Sequence, residues 1–221
     1  MAEPLKTIEL ETRPNPSHAV IWLHGLGADG NDFVPIVREL KLPPLGIRFV
    51  FPHAPMRAVT INGGFVMRAW YDILAQDLVR QEDERGIRES QELVEALIAR
   101  ESGRGIPPNR IVLAGFSQGG VITLQTGLRQ AKPLAGLLGL SCYLPLAATL
   151  EKEINAASRE VPVFLAHGTG DDIVPISRGT ASRDALLKAG VKVEWHQYPM
   201  PHSVHPDEIA DIGAWLGRVL G

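Results

Sequence analysis

The chain has 221 residues, of which 45% are hydrophobic and 21% are charged, and its formal net charge at pH 7 is −3. This is the composition of an ordinary globular protein that can fold as a single domain over residues 1–221 around a sizeable core. The sequence contains no basic run, so we expect neither a nucleic-acid partner nor an anionic membrane partner.

The sequence also argues against export and against stable membrane insertion. Its longest strongly apolar stretch, residues 134–140, is too short to span a bilayer, and the polar N-terminal residues contain no apolar segment typical of a secretory signal. Cys142 is the single cysteine, so no internal disulfide can form. We therefore expect a cytoplasmic protein.

Short apolar runs and helical patterns alternate along the chain. The apolar runs predict strands at residues 19–23, 48–51, 111–116, 134–141, 161–166 and 191–198, and the helical patterns predict helices at 31–40, 84–101, 118–130, 176–189 and 206–220. This alternation is typical of an α/β protein with a mostly parallel sheet covered by helices on both faces. Ligands of such sheets bind beyond the carboxyl ends of the strands.

The connection at residues 53–83 does not follow this alternation. Residues 59–61 and 65–67 flank Asn62-Gly63-Gly64, which predicts a hairpin because Asn and Gly accept positive φ. Five apolar residues in and after this hairpin argue against disorder and are predicted to bind substrate: Phe65, Met67, Trp70, Ile73 and Leu74. The segment is interpreted as a flap that forms a wall for an acyl chain, that simply covers the core, or that contacts a second copy in a homodimer.

A Gly-x-Ser-x-Gly pattern at residues 115–119 follows a predicted buried strand and opens a predicted helix. This context is typical of a nucleophile elbow, in which small neighbours allow the sharp turn that exposes the serine. Ser117 would then lie at a helix N-terminus, where backbone N–H groups favour negative charge. The pattern predicts an enzyme that hydrolyses an acyl bond.

A serine hydroxyl needs a general base and an acid that orients the base, and α/β-hydrolases supply them in the order Ser, Asp or Glu, His. Asp171 and Asp172 follow the predicted strand at 161–166, and His202 and His205 follow the predicted strand at 191–198. Three strand ends thus present the required residue types in the required order. Spacing alone does not choose between the two aspartates or between the two histidines.

Motifs at residues 22–30, 69–72, 115–120, 167–175 and 198–202 together resemble the phospholipase/carboxylesterase family, which includes bacterial carboxylesterases and acyl-protein thioesterases. The resemblance covers nearly the whole chain and implies the α/β-hydrolase fold in a small form without a large cap domain. It selects Asp171 as the acid and His202 as the base. Bacterial members of the family often have Gly where this chain has Pro201. Because proline fixes φ, the loop that carries His202 is expected to be stiffer here.

The oxyanion hole requires two backbone N–H donors. The residue after the nucleophile, Gln118, supplies one of them, and the resemblance implies that Leu26 supplies the other. We expect His24 and His167 to be structural, Asp172 to be solvated or to cap a helix, and His205 to lie at the surface.

These features predict a serine carboxylesterase that cleaves esters of short to medium acyl chains, with an acyl-protein thioesterase or a lysophospholipase as the alternative. The expected partner is a small-molecule ester or an acylated substrate. A thiol nucleophile at Cys142 is disfavoured because this residue lies outside any elbow, and no metal-ligand spacing is present, so no cofactor or metal is expected. A ligand-binding relative without catalysis should have lost one of the three catalytic residues, and all three are present.

Overall fold

The computed structural model describes residues 4–75 and 82–221. Within these ranges the strands are β1 (Thr7–Glu11), β2 (His18–Leu23), β3 (Ile47–Pro52), β4 (Met56–Val59), β5 (Phe65–Arg68), β6 (Ile111–Phe116), β7 (Gly136–Leu140), β8 (Val163–Gly168) and β9 (Val193–Tyr198). The helices are α1 (Glu84–Gly103), α2 (Gln118–Gly127), α3 (Leu150–Glu153), α4 (Ile176–Lys188) and α5 (Pro206–Leu220).

Seven of these strands form one sheet in the spatial order β1-β3-β2-β6-β7-β8-β9. All neighbouring pairs are parallel except β1 with β3. The parallel strands end at one edge, so the segments after β2, β6, β8 and β9 lie close together. The predicted α/β architecture is confirmed.

Both faces of the sheet are covered, and β2 shows why its residues 19–23 are all apolar. Ile21 and Leu23 belong to the hydrophobic cluster on one face, which also contains residues of α1, α2 and α4. Val20 and Trp22 belong to the cluster on the other face, which contains residues of α5. Successive side chains of a strand point to opposite faces, so a doubly covered strand needs apolar residues at every position.

Most predicted elements are confirmed within a few residues, but the helix predicted at residues 31–40 is wrong. The structure has turns there and one short 3₁₀ turn at Pro35–Arg38. The side chain of Asp29 accepts a hydrogen bond from the backbone N–H of Asn31 at 2.7 Å, which stabilises a turn in place of a helix start. Pro35 further removes one backbone donor. The antiparallel edge strand β1 was not predicted.

The predicted hairpin is confirmed, since β4 pairs antiparallel with β5. Its first strand ends at Val59, three residues of 3₁₀ turn follow, and Gly63 and Gly64 take positive φ values of 65° and 79°. The part of the predicted flap at residues 76–81 lies outside the described residues. None of the helices in the described ranges is long and apolar enough to cross a membrane.

Candidate active site

Ser117 occupies a sharp turn between β6 and α2. Its backbone has φ 53° and ψ −121°, a conformation that L-residues rarely adopt. The glycines of the motif are required by space: a Cβ on Gly115 would lie 2.3 Å from the backbone of Gly119, and a Cβ on Gly119 would lie 2.2 Å from the carbonyl oxygen of Leu23. The turn therefore has the strand–turn–helix geometry that the sequence predicts.

His202 and Asp171 form a direct pair. The Nδ1 atom of His202 donates to Asp171 Oδ2 at 2.8 Å, since an ionised carboxylate can only accept. The other carboxylate oxygen, Oδ1, accepts from the backbone N–H groups of Ile173 at 3.0 Å and Val174 at 2.8 Å. The Asp171 side chain is fully buried, so these donors fix its orientation and that of the imidazole.

Two further histidines lie behind the loops of the site. His167 Nε2 donates to the carbonyl oxygen of Val174 at 2.7 Å, and burial lowers the pKa of His167. His24 Nδ1 donates to the carbonyl oxygen of Gly25 at 2.7 Å, and its Nε2 accepts from the N–H of Ala54 at 3.0 Å. Burial lowers the pKa of His24 as well. Both geometries fit the predicted structural roles.

Asp172 and His205, the alternatives to Asp171 and His202, occupy different environments. Asp172 is exposed at the rim of the site. His205, predicted at the surface, is half-buried and forms the N-cap of α5: its ring nitrogen accepts from the N–H of Asp207 at 3.2 Å, and its own N–H donates to the Glu208 carboxylate at 3.2 Å.

Ser117 and His202 line one open cavity of about 760 Å³. Leu26 and Gln118, the predicted oxyanion donors, line the same cavity. The loop that carries Leu26 turns at Gly27, where φ is 75°. The sheet therefore brings the predicted nucleophile, base and oxyanion residues to one cavity, with the acid hydrogen-bonded to the base.

The five residues predicted to bind substrate occupy different environments. Ile73 lines the cavity. Phe65 is 68% exposed and Leu74 is 40% exposed, and neither lines the cavity. Met67 accepts a weak hydrogen bond from the Asn62 side chain through its sulfur, and the Trp70 side chain is fully buried.

Three residues that line the cavity were not predicted from the sequence: the aliphatic Ile61 and the aromatic Tyr71 and Tyr143. The two tyrosine hydroxyls lie 3.0 Å apart and are hydrogen-bonded to each other. Tyr143 comes shortly after the carboxyl end of β7, so the rule that ligands bind beyond strand ends could have found it. Ile61 follows the hairpin strand β4, and no pattern in the sequence distinguishes it from a surface residue.

Neither a metal site nor a thiol nucleophile emerges from the arrangement. Across residues 4–75 and 82–221, no three His, Cys, Asp or Glu side chains are grouped so that they could hold a metal ion. Cys142 is buried, and burial raises the pKa of its thiol to about 12. Its sulfur packs close to Gly120 and Gly139.

Comparison with known proteins gives one consistent answer. The model of the family described as Phospholipase/Carboxylesterase matches residues 6–220. Proteins named acyl-protein thioesterase 1 are similar over nearly their whole length: that of Cryptococcus neoformans var. neoformans is 35% identical with 100% of both chains covered, and that of Mycosarcoma maydis is 40% identical with 98% of each covered.

Solved structures show the same relationship. Arabidopsis thaliana SOBER1 matches with a TM-score of 0.87 and 34% identity, covering 92% of this chain and 99% of that one. Zea mays acyl-protein thioesterase 2 matches with a TM-score of 0.81 and 29% identity, covering 97% and 99%. The chain belongs to the phospholipase/carboxylesterase family of hydrolases and has the α/β-hydrolase fold, with no large cap domain in its described residues.

Proposed function

We propose that this hydrolase cleaves acyl thioesters and esters through a covalent intermediate on Ser117, with His202 as general base and Asp171 as its orienting acid. The observation that carries the proposal is the 2.8 Å contact between His202 Nδ1 and a fully buried Asp171, in a pair whose imidazole faces the same cavity as Ser117. Because Nδ1 carries the proton that Asp171 accepts, Nε2 is the ring atom with a free lone pair.

The reaction then follows from these positions. His202 Nε2 takes the proton of the Ser117 hydroxyl as the oxygen attacks the acyl carbon, and Asp171 stabilises the imidazolium that forms. The tetrahedral oxyanion accepts hydrogen bonds from the backbone N–H groups of Leu26 and Gln118. His202 returns the proton to the departing thiol or alcohol. Water, deprotonated by the same nitrogen, then releases the carboxylic acid and restores Ser117.

The relatives named acyl-protein thioesterase support an S-acylated protein as the substrate. The open cavity agrees with a leaving group as large as a peptide, since it is continuous with the surface near the exposed Asp172 and Ile173. The second candidate is a carboxylic ester of short to medium acyl length, which the apolar wall at Ile61 and Ile73 supports. The single, buried cysteine agrees with the cytoplasm as the place of action.

A matched pair of peptides tests both candidates. The two peptides differ only in carrying an S-acyl cysteine or an O-acyl serine, with acyl groups from acetyl to palmitoyl, and enzymatic rates are divided by the hydroxide-catalysed rates. We expect both to be cleaved, with the thioester favoured after this correction, and Ser117→Ala to remove both activities. A corrected preference for short oxoesters would instead select the carboxylesterase.

Two results would contradict the proposal itself. A folded Ser117→Ala variant with wild-type rates would exclude the serine mechanism. A wild-type protein that binds acylated peptides but cleaves neither would favour a ligand-binding protein without catalysis.

A further inference from the structure

Trp70 is predicted from sequence to bind substrate, but its surroundings indicate another role. Its side chain is fully buried, and it makes hydrogen bonds to two separate parts of the site. The indole Nε1 donates to the carbonyl oxygen of His24 at 2.8 Å, and the backbone N–H donates to Gln118 Oε1 at 3.0 Å. Gln118 Nε2 in turn donates to the carbonyl oxygen of Tyr71 at 2.9 Å. The backbone and side chain of Trp70 therefore connect the nucleophile helix with the loop after β2.

The two connected parts are those that carry the proposed oxyanion donors. Gln118 is the first residue of α2, and His24 precedes the loop that contains Leu26. The same loop is attached to the flap once more, because the N–H of Gly27 donates to the carbonyl oxygen of Arg68 at 2.9 Å. Residues 68–71 thus span the gap between both donors and bond to each side.

We propose that Trp70 and the side chain of Gln118 are positioning residues that hold the backbone N–H groups of Leu26 and Gln118 in the arrangement that a tetrahedral oxyanion requires. This inference rests on the proposed function and adds a role for the flap in it. Gln118 then serves twice, through its backbone N–H toward the substrate and through its side-chain amide toward residues 70 and 71.

The physical basis is the steep distance dependence of oxyanion stabilisation. Donors act at about 2.7–3.1 Å from the developing oxyanion, and a misplacement of about 1 Å costs on the order of 10²-fold in rate. Buried polar groups that are joined by hydrogen bonds rigidify the structure around them. Trp70 and Gln118 are both buried, and their bonds to each other and to His24 meet this condition.

Trp70→Phe tests the proposal because it keeps an aromatic ring and removes the N–H that bonds to His24. We expect kcat to fall by about 10- to 100-fold while KM stays within about threefold, which is less than the loss of a whole donor. The affinity of an alkyl trifluoromethyl ketone, whose adduct with serine is tetrahedral, should fall in parallel. The affinity of the matched alkyl alcohol, which forms no adduct, should not change.

Trp22→Phe is the matched control. Trp22 is equally buried in β2, and its indole N–H has no hydrogen-bond partner in the described part of the chain. The same ring truncation there should leave kcat and the ketone affinity close to the wild-type values. The pair of variants separates the loss of one hydrogen bond from the loss of ring volume.

Gln118→Met provides a second route if Trp70→Phe does not fold. This variant keeps the backbone N–H that would face the oxyanion and removes only the side-chain amide. A fall in kcat with a parallel loss of ketone affinity supports the proposal. Two outcomes would overturn this proposal if Ser117→Ala is inactive. One is a wild-type kcat in a folded Trp70→Phe or Gln118→Met variant, and the other is a fall in kcat with unchanged ketone affinity. An active Ser117→Ala would instead overturn the proposed function.

Discussion

Asp171→Asn is the substitution whose effect follows most directly from the geometry. The amide oxygen of Asn can keep the hydrogen bonds from the N–H groups of Ile173 and Val174, so the loop should hold its shape. The amide NH₂ would then face His202 Nδ1, where the carboxylate oxygen lies now at 2.8 Å. Because that NH₂ can only donate, Nδ1 must become the acceptor and the imidazole proton moves to Nε2.

A proton on Nε2 prevents His202 from accepting the proton of Ser117. By analogy with other serine–histidine–aspartate hydrolases, we expect kcat to fall about 10⁴-fold, which corresponds to about 5 kcal/mol of transition-state stabilisation. Release of thiol from an S-octanoyl peptide measures the rate, and thermal unfolding verifies the fold. Asp172→Asn is the control, because the neighbouring carboxylate is exposed at the rim of the cavity.

The reasoning would be refuted by a folded Asp171→Asn variant that retains more than about a tenth of the wild-type kcat, since wrong-tautomer variants lose far more. A larger loss for Asp172→Asn than for Asp171→Asn would show that the acid is assigned to the wrong residue.

Three further predictions concern stability and reactivity. Burial raises the pKa of Glu208 from 4.5 to about 8, so its contribution to stability is full below pH 4.5 and is lost as the pH rises through 8. Urea unfolding should show the wild type losing stability relative to Glu208→Gln between pH 5 and pH 8. A stability difference that stays constant over this range would contradict the prediction. Gly119→Ala should lower the free energy of unfolding by about 3 kcal/mol or more because its Cβ would lie 2.2 Å from the Leu23 carbonyl oxygen, whereas Gly103→Ala, with open space around it, should stay within about 1 kcal/mol of wild type. Burial raises the pKa of the Cys142 thiol to about 12, so Cys142 should resist iodoacetamide at pH 8 until the protein is unfolded. Inactivation by alkylation of the native protein would instead support Cys142 as the nucleophile.

The sequence allowed the sheet and the main site loops to be predicted because these depend on local signals. Continuous apolar runs, such as residues 19–23 of β2 and residues 111–116 of β6, indicate doubly covered parallel strands, and strand ends in such a sheet converge. The contact between Asp171 and His202 follows from that convergence together with the family resemblance. The turn at Ser117 follows from its two glycines.

Two of the features that were not predicted correctly are the edge strand β1 and the environment of Trp70. Both involve contacts with residues that are distant in the sequence. The edge strand β1 carries Glu9 and Glu11, whose ion pairs with Arg104 and Arg48 form only in the folded chain. The composition around Trp70 resembles a substrate wall, but the indole is buried in the hydrophobic cluster on one face of the sheet, and its N–H donates to the distant carbonyl oxygen of His24. Contacts of this kind join residues far apart in the sequence, so no local pattern separates a buried Trp70 from a residue that lines the cavity.

The most direct test of the account is covalent labelling of the nucleophile. The protein is treated with an alkyl fluorophosphonate, and the adduct is located by intact mass and peptide mapping in the wild type and in Ser117→Ala. We predict one adduct, on Ser117, formed in step with the loss of thioester hydrolysis and absent from the variant. An adduct on another residue that accompanies the loss of activity, or complete labelling of Ser117 with activity retained, would contradict the assignment of Ser117 as the nucleophile.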